Sequence, residues 1–226
     1  MRDTLQTREY FDIFILEETK RVEKYEKRIA SGTLKEDRIL PVKDMLIQLK
    51  LGIIIAKYSR GDSILDIKNE FISLIDLLVD AWNRDSYEDN IRIASLTFLL
   101  DINDYRKEKI KNKLKKTPYY DCLIDYILNG TNSFFNNNVV SFPESYKKLL
   151  QVIEGKNINV LMEYLREWYK NHDDSPWFDS HKSTKVNTYY GYWSFEAAAI
   201  AKRLRLEDGD LRNEIYYPYD MAHYAN

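Results

Sequence analysis

The chain has 226 residues, of which 34 are basic, 36 acidic, seven glycine, five proline and one cysteine. Glycine and proline are too scarce for an all-β sandwich or barrel, which needs a turn about every 8 to 12 residues, so long helices are expected. The single Cys122 excludes an internal disulfide and a multi-thiolate metal site, and no stretch reaches the roughly 18 apolar residues of a membrane span. The charged first residues, without an apolar signal sequence, also favour a cytoplasmic protein without a membrane partner.

Hydrophobic periodicity predicts four helices in the N-terminal part of the chain. Apolar residues recur there at spacings of three, four and seven, which is typical of one helix face. Gly32 is placed to end the first helix, and Pro41 fits the first turn of the second. Asp62 or Ser63 can cap the third. The predicted helices span residues 10–30, 41–59, 63–84 and 87–100.

The next segment, residues 105–116, is strongly basic, and its only acidic residue is Glu108. Ile110 and Leu114 lie four residues apart and can anchor a helix whose other faces are solvated. A surface helix is therefore the favoured interpretation. The alternative is a strip that binds nucleic acid, but it lacks paired aromatic side chains on which bases could stack.

Thr117-Pro118 marks a predicted domain boundary, because proline disfavours helix in the residue before it and lacks a backbone donor. We predict an N-terminal helical domain over residues 1–117 and a C-terminal helical domain over 118–226. A polar loop is expected after Gly130. Helices of the second domain are predicted at residues 119–128, 143–154, 157–168 and 192–206. The expected fold is all-α, a two-part bundle of roughly eight to ten helices with an irregular, tyrosine-rich C-terminal segment.

Residues that could perform catalysis are sparse. His172 and His181, with aspartates nearby, could bind a metal ion, but their spacing fits no established ligand motif. Cys122 lies in an apolar segment, where a free cysteine is usually a small hydrophobic residue. No glycine-rich phosphate loop is present. We therefore expect no catalytic residue, cofactor or metal, with a metal-dependent hydrolase using His172 and His181 as the alternative.

The densest feature of the sequence is aromatic. The string YYGYWSFEAAA occupies residues 189–199, and YYPYD follows at 216–220. One interpretation is a clasp, in which these side chains hold the C-terminal tail against the core. The other is an exposed recognition surface. In the clasp, we expect Glu196 in the first turns of a helix, where its charge is favoured and where it can accept hydrogen bonds from the tail tyrosines.

These strings resemble the C-terminal signature of the PoNi family of bacterial immunity proteins. YGYWSFEAAA at 190–199 and YPYD at 217–220 carry the resemblance, and WFDSHK at 177–182 is also similar. The resemblance implies a cytoplasmic antitoxin that binds and neutralises a PoNe-type DNase toxin delivered between competing bacteria, for example by type VI secretion. It implies no catalytic residue, no cofactor and no direct contact with nucleic acid, and it leaves the oligomeric state open.

Two sets of residues follow from the resemblance and from charge. A DNase must present a cationic groove to DNA, so an acidic inhibitor surface is favourable, and residues 121–226 carry 15 acidic against 11 basic groups. The motif residues expected to maintain the fold are Tyr190, Gly191, Tyr192, Trp193, Phe195, Glu196, Tyr217, Pro218 and Asp220. The candidate toxin contacts are Asp173, Asp174, Asp179, Glu207, Asp208 and Asp210.

Overall fold

The computed structural model describes residues 1–82, 85–131 and 140–225, and within them the chain forms ten α-helices and no β-strand. The predicted all-α class is confirmed. The predicted end of the third helix at Arg84, and most of the polar loop predicted after Gly130, lie outside the described residues. The helices are α1 (Arg8–Ala30), α2 (Glu36–Arg60), α3 (Ile64–Ala81), α4 (Tyr87–Leu99), α5 (Asp104–Leu114), α6 (Cys122–Asn129), α7 (Pro143–Gly155), α8 (Ile158–Trp168), α9 (Phe195–Leu204) and α10 (Tyr219–Ala222).

The chain divides into two compact units. The first comprises Met1–Arg84 and Asp179–Gly191, and the second comprises Asp85–Phe178 and Tyr192–Asn226. The boundary predicted between residues 117 and 118 lies inside the second unit, where α4 packs against both α5 and α6 on either side of it. The compact units therefore differ from the predicted domains.

The first unit is built on α2, which packs against α1 and α3. Val22 of α1 and Leu46, Leu49 and Ile53 of α2 form one buried cluster, because apolar residues three and four apart share a helix face. The return segment 179–191 is attached to this unit through Tyr189, whose buried ring lies 6.0 Å from the ring of Phe11.

The second helix begins earlier than the sequence predicts. It starts at Glu36, so Pro41 lies inside the helix and not in its first turn. Lys35 at the N-cap makes no side-chain capping hydrogen bond, which explains why no capping signal marked this start. Pro41 is exposed, so the helix continues past it with one backbone hydrogen bond fewer.

The second unit has α4 and α9 at its centre. Both are buried over most of their length, and α4 also packs against α6 while α7 packs against α8. Ala197, Ala198 and Ala199 of α9 are fully buried, and their small side chains let neighbouring helices approach closely. Helices α6 and α9 each start three residues later than predicted, and α9 ends at Leu204 with Arg205 in a left-handed conformation.

The basic segment forms α5 and has the predicted orientation. Ile110 and Leu114 are completely buried, while Tyr105 is 70% exposed. Lys107 and Lys111 pair with acidic residues three positions earlier on the same helix. These contacts support a solvated surface helix. Among the described residues, no helix is both long enough and apolar enough to cross a membrane.

Candidate functional site

The carboxylate of Glu196 is the polar centre of the second unit. Glu196 lies in the first turn of α9 and is 5% exposed. Its Oε1 accepts hydrogen bonds from Tyr164 Oη (2.7 Å), Trp168 Nε1 (2.7 Å) and Ser194 Oγ (2.6 Å). Tyr164 and Trp168 are four residues apart on α8, so both donors lie on one helix face. These hydrogen bonds compensate for the removal of the carboxylate from water.

The donors to Glu196 are not those that the sequence suggested. Tail tyrosines were expected, but α8 supplies Tyr164 and Trp168, and Tyr217 of the tail donates to Asp208. Burial, reinforced by the nearby Glu196 charge, raises the pKa of Tyr164 well above its ordinary value. The phenol therefore stays protonated and donates at every physiological pH.

Three of the motif aromatics pack into the second unit. Tyr192, Trp193 and Phe195 are buried, and Tyr192 donates through its hydroxyl to the carbonyl of Trp177 at 3.2 Å. Trp177 in turn stacks on Trp168, with ring centroids 5.3 Å apart and planes inclined by 16°. This burial favours the clasp interpretation over an exposed recognition surface made of the same residues.

A second carboxylate, Asp208, holds the C-terminal tail. It accepts hydrogen bonds from Tyr217 Oη at 2.5 Å and from His223 Nε2 at 2.8 Å. The backbone N–H of Ser194 also donates to the carbonyl of Tyr216 at 2.8 Å. Asp208 is only 6% exposed and is occupied by these partners, so little of this candidate toxin contact is accessible in the free protein. The sequence could not distinguish it from its exposed neighbours Glu207 and Asp210.

The remaining motif residues have different environments. Pro218 is buried and precedes α10, while Asp220 is exposed in its first turn. Tyr190 and Gly191 belong to the first unit, where the carbonyl of Tyr190 accepts a hydrogen bond from Ser59 Oγ at 2.8 Å. Gly191 has a φ of 119°, a conformation that residues with a Cβ rarely adopt, so glycine is required at this point.

The other toxin-contact candidates lie in two units. Asp173, Asp174, Glu207 and Asp210 are exposed in the second unit. Asp179 belongs to the first unit and has a left-handed backbone with φ 57°. Its carboxylate forms an ion pair with Lys182 at 2.8 Å. It is therefore partly neutralised.

The loop that carries Asp173 and Asp174 is fixed by an acidic residue that the sequence did not single out. Glu88, in the first turn of α4, accepts hydrogen bonds from Ser175 Oγ and, at 2.6 Å, from Trp177 Nε1. An acidic residue in the first turn of a helix is favourable because of the helix dipole alone. The position of Glu88 in the sequence therefore did not indicate that it contacts this loop. The two exposed aspartates consequently project from an anchored segment.

The histidine alternative is not favoured. His172 is buried, and its Nδ1 lies 2.6 Å from the carbonyl oxygen of Trp168, which requires a proton on Nδ1. Its Nε2 lies 3.1 Å from Tyr146 Oη, so both ring nitrogens are occupied. His181 belongs to the other compact unit. Within residues 1–82, 85–131 and 140–225, no group of three or more His, Cys, Asp or Glu side chains could hold a metal ion.

We expect Cys122 to be unreactive in the native protein. Burial, reinforced by the neighbouring Asp121 charge, raises the pKa of its thiol to about 11. Only about one thiol in a thousand is then ionised at pH 8, and the thiolate is the nucleophile. Native protein treated with iodoacetamide at pH 8 should stay unmodified by mass spectrometry while urea-unfolded protein is alkylated. Equally fast labelling of both would contradict this prediction.

Comparison with known proteins identifies the family. A model of the C-terminal part of PoNe immunity proteins (PoNi) matches residues 119–221, and a model of the N-terminal part matches residues 2–112. The chain belongs to this family. As a PoNe immunity protein, it is an inhibitor of a toxin and not an enzyme. The gap between the two matches contains the predicted boundary at residues 117 and 118.

One solved structure provides a fold comparison for this PoNe immunity protein. Protein PA2201 from Pseudomonas aeruginosa matches with a TM-score of 0.73 and 17% identity, over 99% of this chain and 89% of that chain. At this identity the match shows a shared fold alone. No curated protein matches the sequence.

Proposed function

We propose that this PoNe immunity protein binds a cognate PoNe-type DNase toxin in a stoichiometric complex and blocks its access to DNA. The observation that carries the proposal is the match of both family models, which together span nearly the whole chain. A DNase needs a cationic surface for phosphates, and an inhibitor with exposed carboxylates complements that surface. Because DNA is the toxin's target, the complex would form in the cytoplasm, after delivery by a system such as type VI secretion.

The proposed contact surface centres on the exposed Asp173 and Asp174. Glu88 anchors their loop through Ser175 and Trp177, so little conformational entropy is lost when the aspartates are engaged. The same segment continues into Trp177 and Phe178, which are only half-buried. Half-exposed aromatic side chains beside charges are typical of residues that dominate binding energy.

Further contacts are proposed at the exposed Glu207 and Asp210, which follow α9. Asp179 stays a candidate with a reduced charge, because Lys182 pairs with it. The buried motif residues Tyr192, Trp193 and Phe195 would support the surface and not touch the toxin.

The test of inhibition is growth rescue together with complex formation. Cells that express the toxin encoded beside this protein should survive when the immunity protein is co-expressed, and the purified pair should elute as one complex. DNase activity in vitro should fall to zero at one equivalent of inhibitor. Full DNase activity in the presence of excess folded immunity protein would overturn the proposal.

Replacing both Asp173 and Asp174 by alanine should slow association with the toxin. Rim charges act mainly on the association rate, so we expect a decrease of about five- to tenfold at low salt, and a smaller one at high salt where charges are screened. Surface plasmon resonance over a range of salt concentrations measures both rates.

The matched control for this variant is the double change Glu36→Ala and Asp37→Ala, which removes two adjacent exposed carboxylates from α2. It should leave the association rate within about twofold of the wild type. An equal loss in both variants would show that only overall charge matters and would remove the 173–174 loop as a specific contact.

A further inference from the structure

The second unit contains an open cleft at the C-terminal end of α9. Its volume is about 660 Å³, which is in the range of small-molecule sites. One wall is α9 and the residues after it, and another is the tail around His223. Its basic lining residues are Lys202, Arg203 and Arg205.

The guanidinium of Arg203 is held rigidly. It lies 4.0 Å from the centre of the Phe98 ring, and both its Nε, at 3.1 Å, and its Nη2 donate to the carbonyl of Ile127. Gly130 makes room for it, because a Cβ at that position would overlap Nη1. Stacking and hydrogen bonding together fix the position of this guanidinium at the cleft, although the side chain that carries it is long and flexible.

The charge of Arg203 lacks a carboxylate partner among the described residues. Its contacts are an aromatic face and a neutral carbonyl, and burial lowers the pKa of Arg203 from its ordinary value. A largely desolvated cation is normally paired with an anion, since the lost hydration must be replaced. The arrangement therefore favours the arrival of an anionic group.

Arg205 adds a second cation to the cleft. It is exposed and has no side-chain ion pair within the part of the chain that the structure describes. Its backbone is left-handed, with φ 52°, at the C-cap position where glycine is the easiest residue. Two acidic residues also line the cleft and oppose the arginines: Asp208, whose carboxylate accepts hydrogen bonds from Tyr217 and His223, and the exposed Glu207.

We propose that this cleft binds an anionic oxygen ligand, a phosphate or carboxylate group, through Arg203 and Arg205. Nε and Nη2 of Arg203 are engaged by the Ile127 carbonyl, so Arg203 contributes mainly its charge, and the exposed Arg205 supplies the two parallel hydrogen bonds that suit either group. The group is carried either by a free small molecule or by an acidic side chain of the bound toxin. Only the second source depends on the proposed function.

The test titrates isotopically labelled immunity protein alone with inorganic phosphate and follows its NMR spectrum. We expect saturable shifts at residues 202–208. The variant Arg205→Ala should bind phosphate about tenfold more weakly, because a charge-assisted contact is lost. The variant Glu207→Gln should bind phosphate more tightly, because an opposing negative charge is removed. A cleft with a purely structural role would not show this gain in affinity. Citrate in place of phosphate should give the same pattern of shifts.

The matched control is Arg166→Ala, which removes an exposed arginine of α8 outside the cleft. It should bind phosphate like the wild type. An equal loss in Arg166→Ala and Arg205→Ala, or no saturable shift at all, would overturn the proposal. Repeating the titration on the toxin complex distinguishes the sources, since continued binding indicates a small molecule and exclusion indicates an acidic group of the toxin. Growth rescue by the immunity protein is measured separately, so failure of either proposal is recognisable.

Discussion

Replacing Glu196 by alanine is expected to lower the free energy of unfolding by about 3 to 5 kcal/mol. The change removes the common acceptor of Tyr164, Trp168 and Ser194, all of which then remain buried as donors without this partner. It also leaves a small cavity beside the aromatic side chains. Urea denaturation followed by circular dichroism and tryptophan fluorescence measures the loss.

Two further variants give this experiment its controls. In Glu196→Gln the side-chain carbonyl still accepts hydrogen bonds, so we expect a smaller loss, of about 1 to 3 kcal/mol. Glu167→Ala removes an exposed carboxylate of α8 that pairs with Lys148, and should cost less than about 1 kcal/mol. If Glu196→Ala were as stable as Glu167→Ala, the hydrogen-bond network would not contribute to the stability of the fold.

Replacing Trp193 by alanine is expected to cost about 3 to 5 kcal/mol, because the side chain is 8% exposed and its removal leaves a large cavity. The clasp interpretation requires this loss. An exposed recognition surface would instead leave the melting midpoint unchanged and weaken toxin binding directly. Differential scanning calorimetry of the free protein distinguishes the two.

The control for Trp193→Ala is Tyr105→Ala on α5, where the ring is 70% exposed and contacts the ammonium group of Lys109. We expect its unfolding free energy to change by about 0.5 kcal/mol or less. A comparable loss in both variants would contradict the burial of the motif. A stable Trp193→Ala protein that no longer binds toxin would contradict the clasp interpretation and restore the recognition surface.

Much of the helical architecture follows from local patterns. Gly61 and Gly130 end helices in left-handed conformations, Pro143 opens α7, and Asn157 caps α8 through a hydrogen bond to the N–H of Asn159. The starts of α2 and α9 were missed for a physical reason. Lys35 is not a capping residue type, so the start of α2 carries no local signal. Ser194 is of a capping type, but its hydroxyl donates to Glu196 and does not cap α9.

Only part of the candidate site could be predicted from the sequence. The YGYWSFEAAA and YPYD strings identified the family, and the position of Glu196 at the start of a helix was predicted. Its donors on α8 were not, because Tyr164 and Trp168 precede it by 32 and 28 residues. Asp208 and Asp173 are the same residue type, so the sequence alone does not distinguish them. In the structure, Asp208 is buried under the tail, whereas Asp173 is exposed.

Local sequence was therefore sufficient for the helical class, for most helix ends and for the family, since periodicity, caps and motifs depend on neighbouring residues. Long-range packing was required for the two compact units, for the hydrogen bonds of Glu196 and Asp208, and for the cleft at Arg203. Each of these joins residues far apart in the chain, and burial depends on which of them meet. Two glycines illustrate both cases at once: Gly61 and Gly130 end helices by their own left-handed conformations, and each is also closely approached by a residue far away in the chain, Met1 and Arg203 respectively.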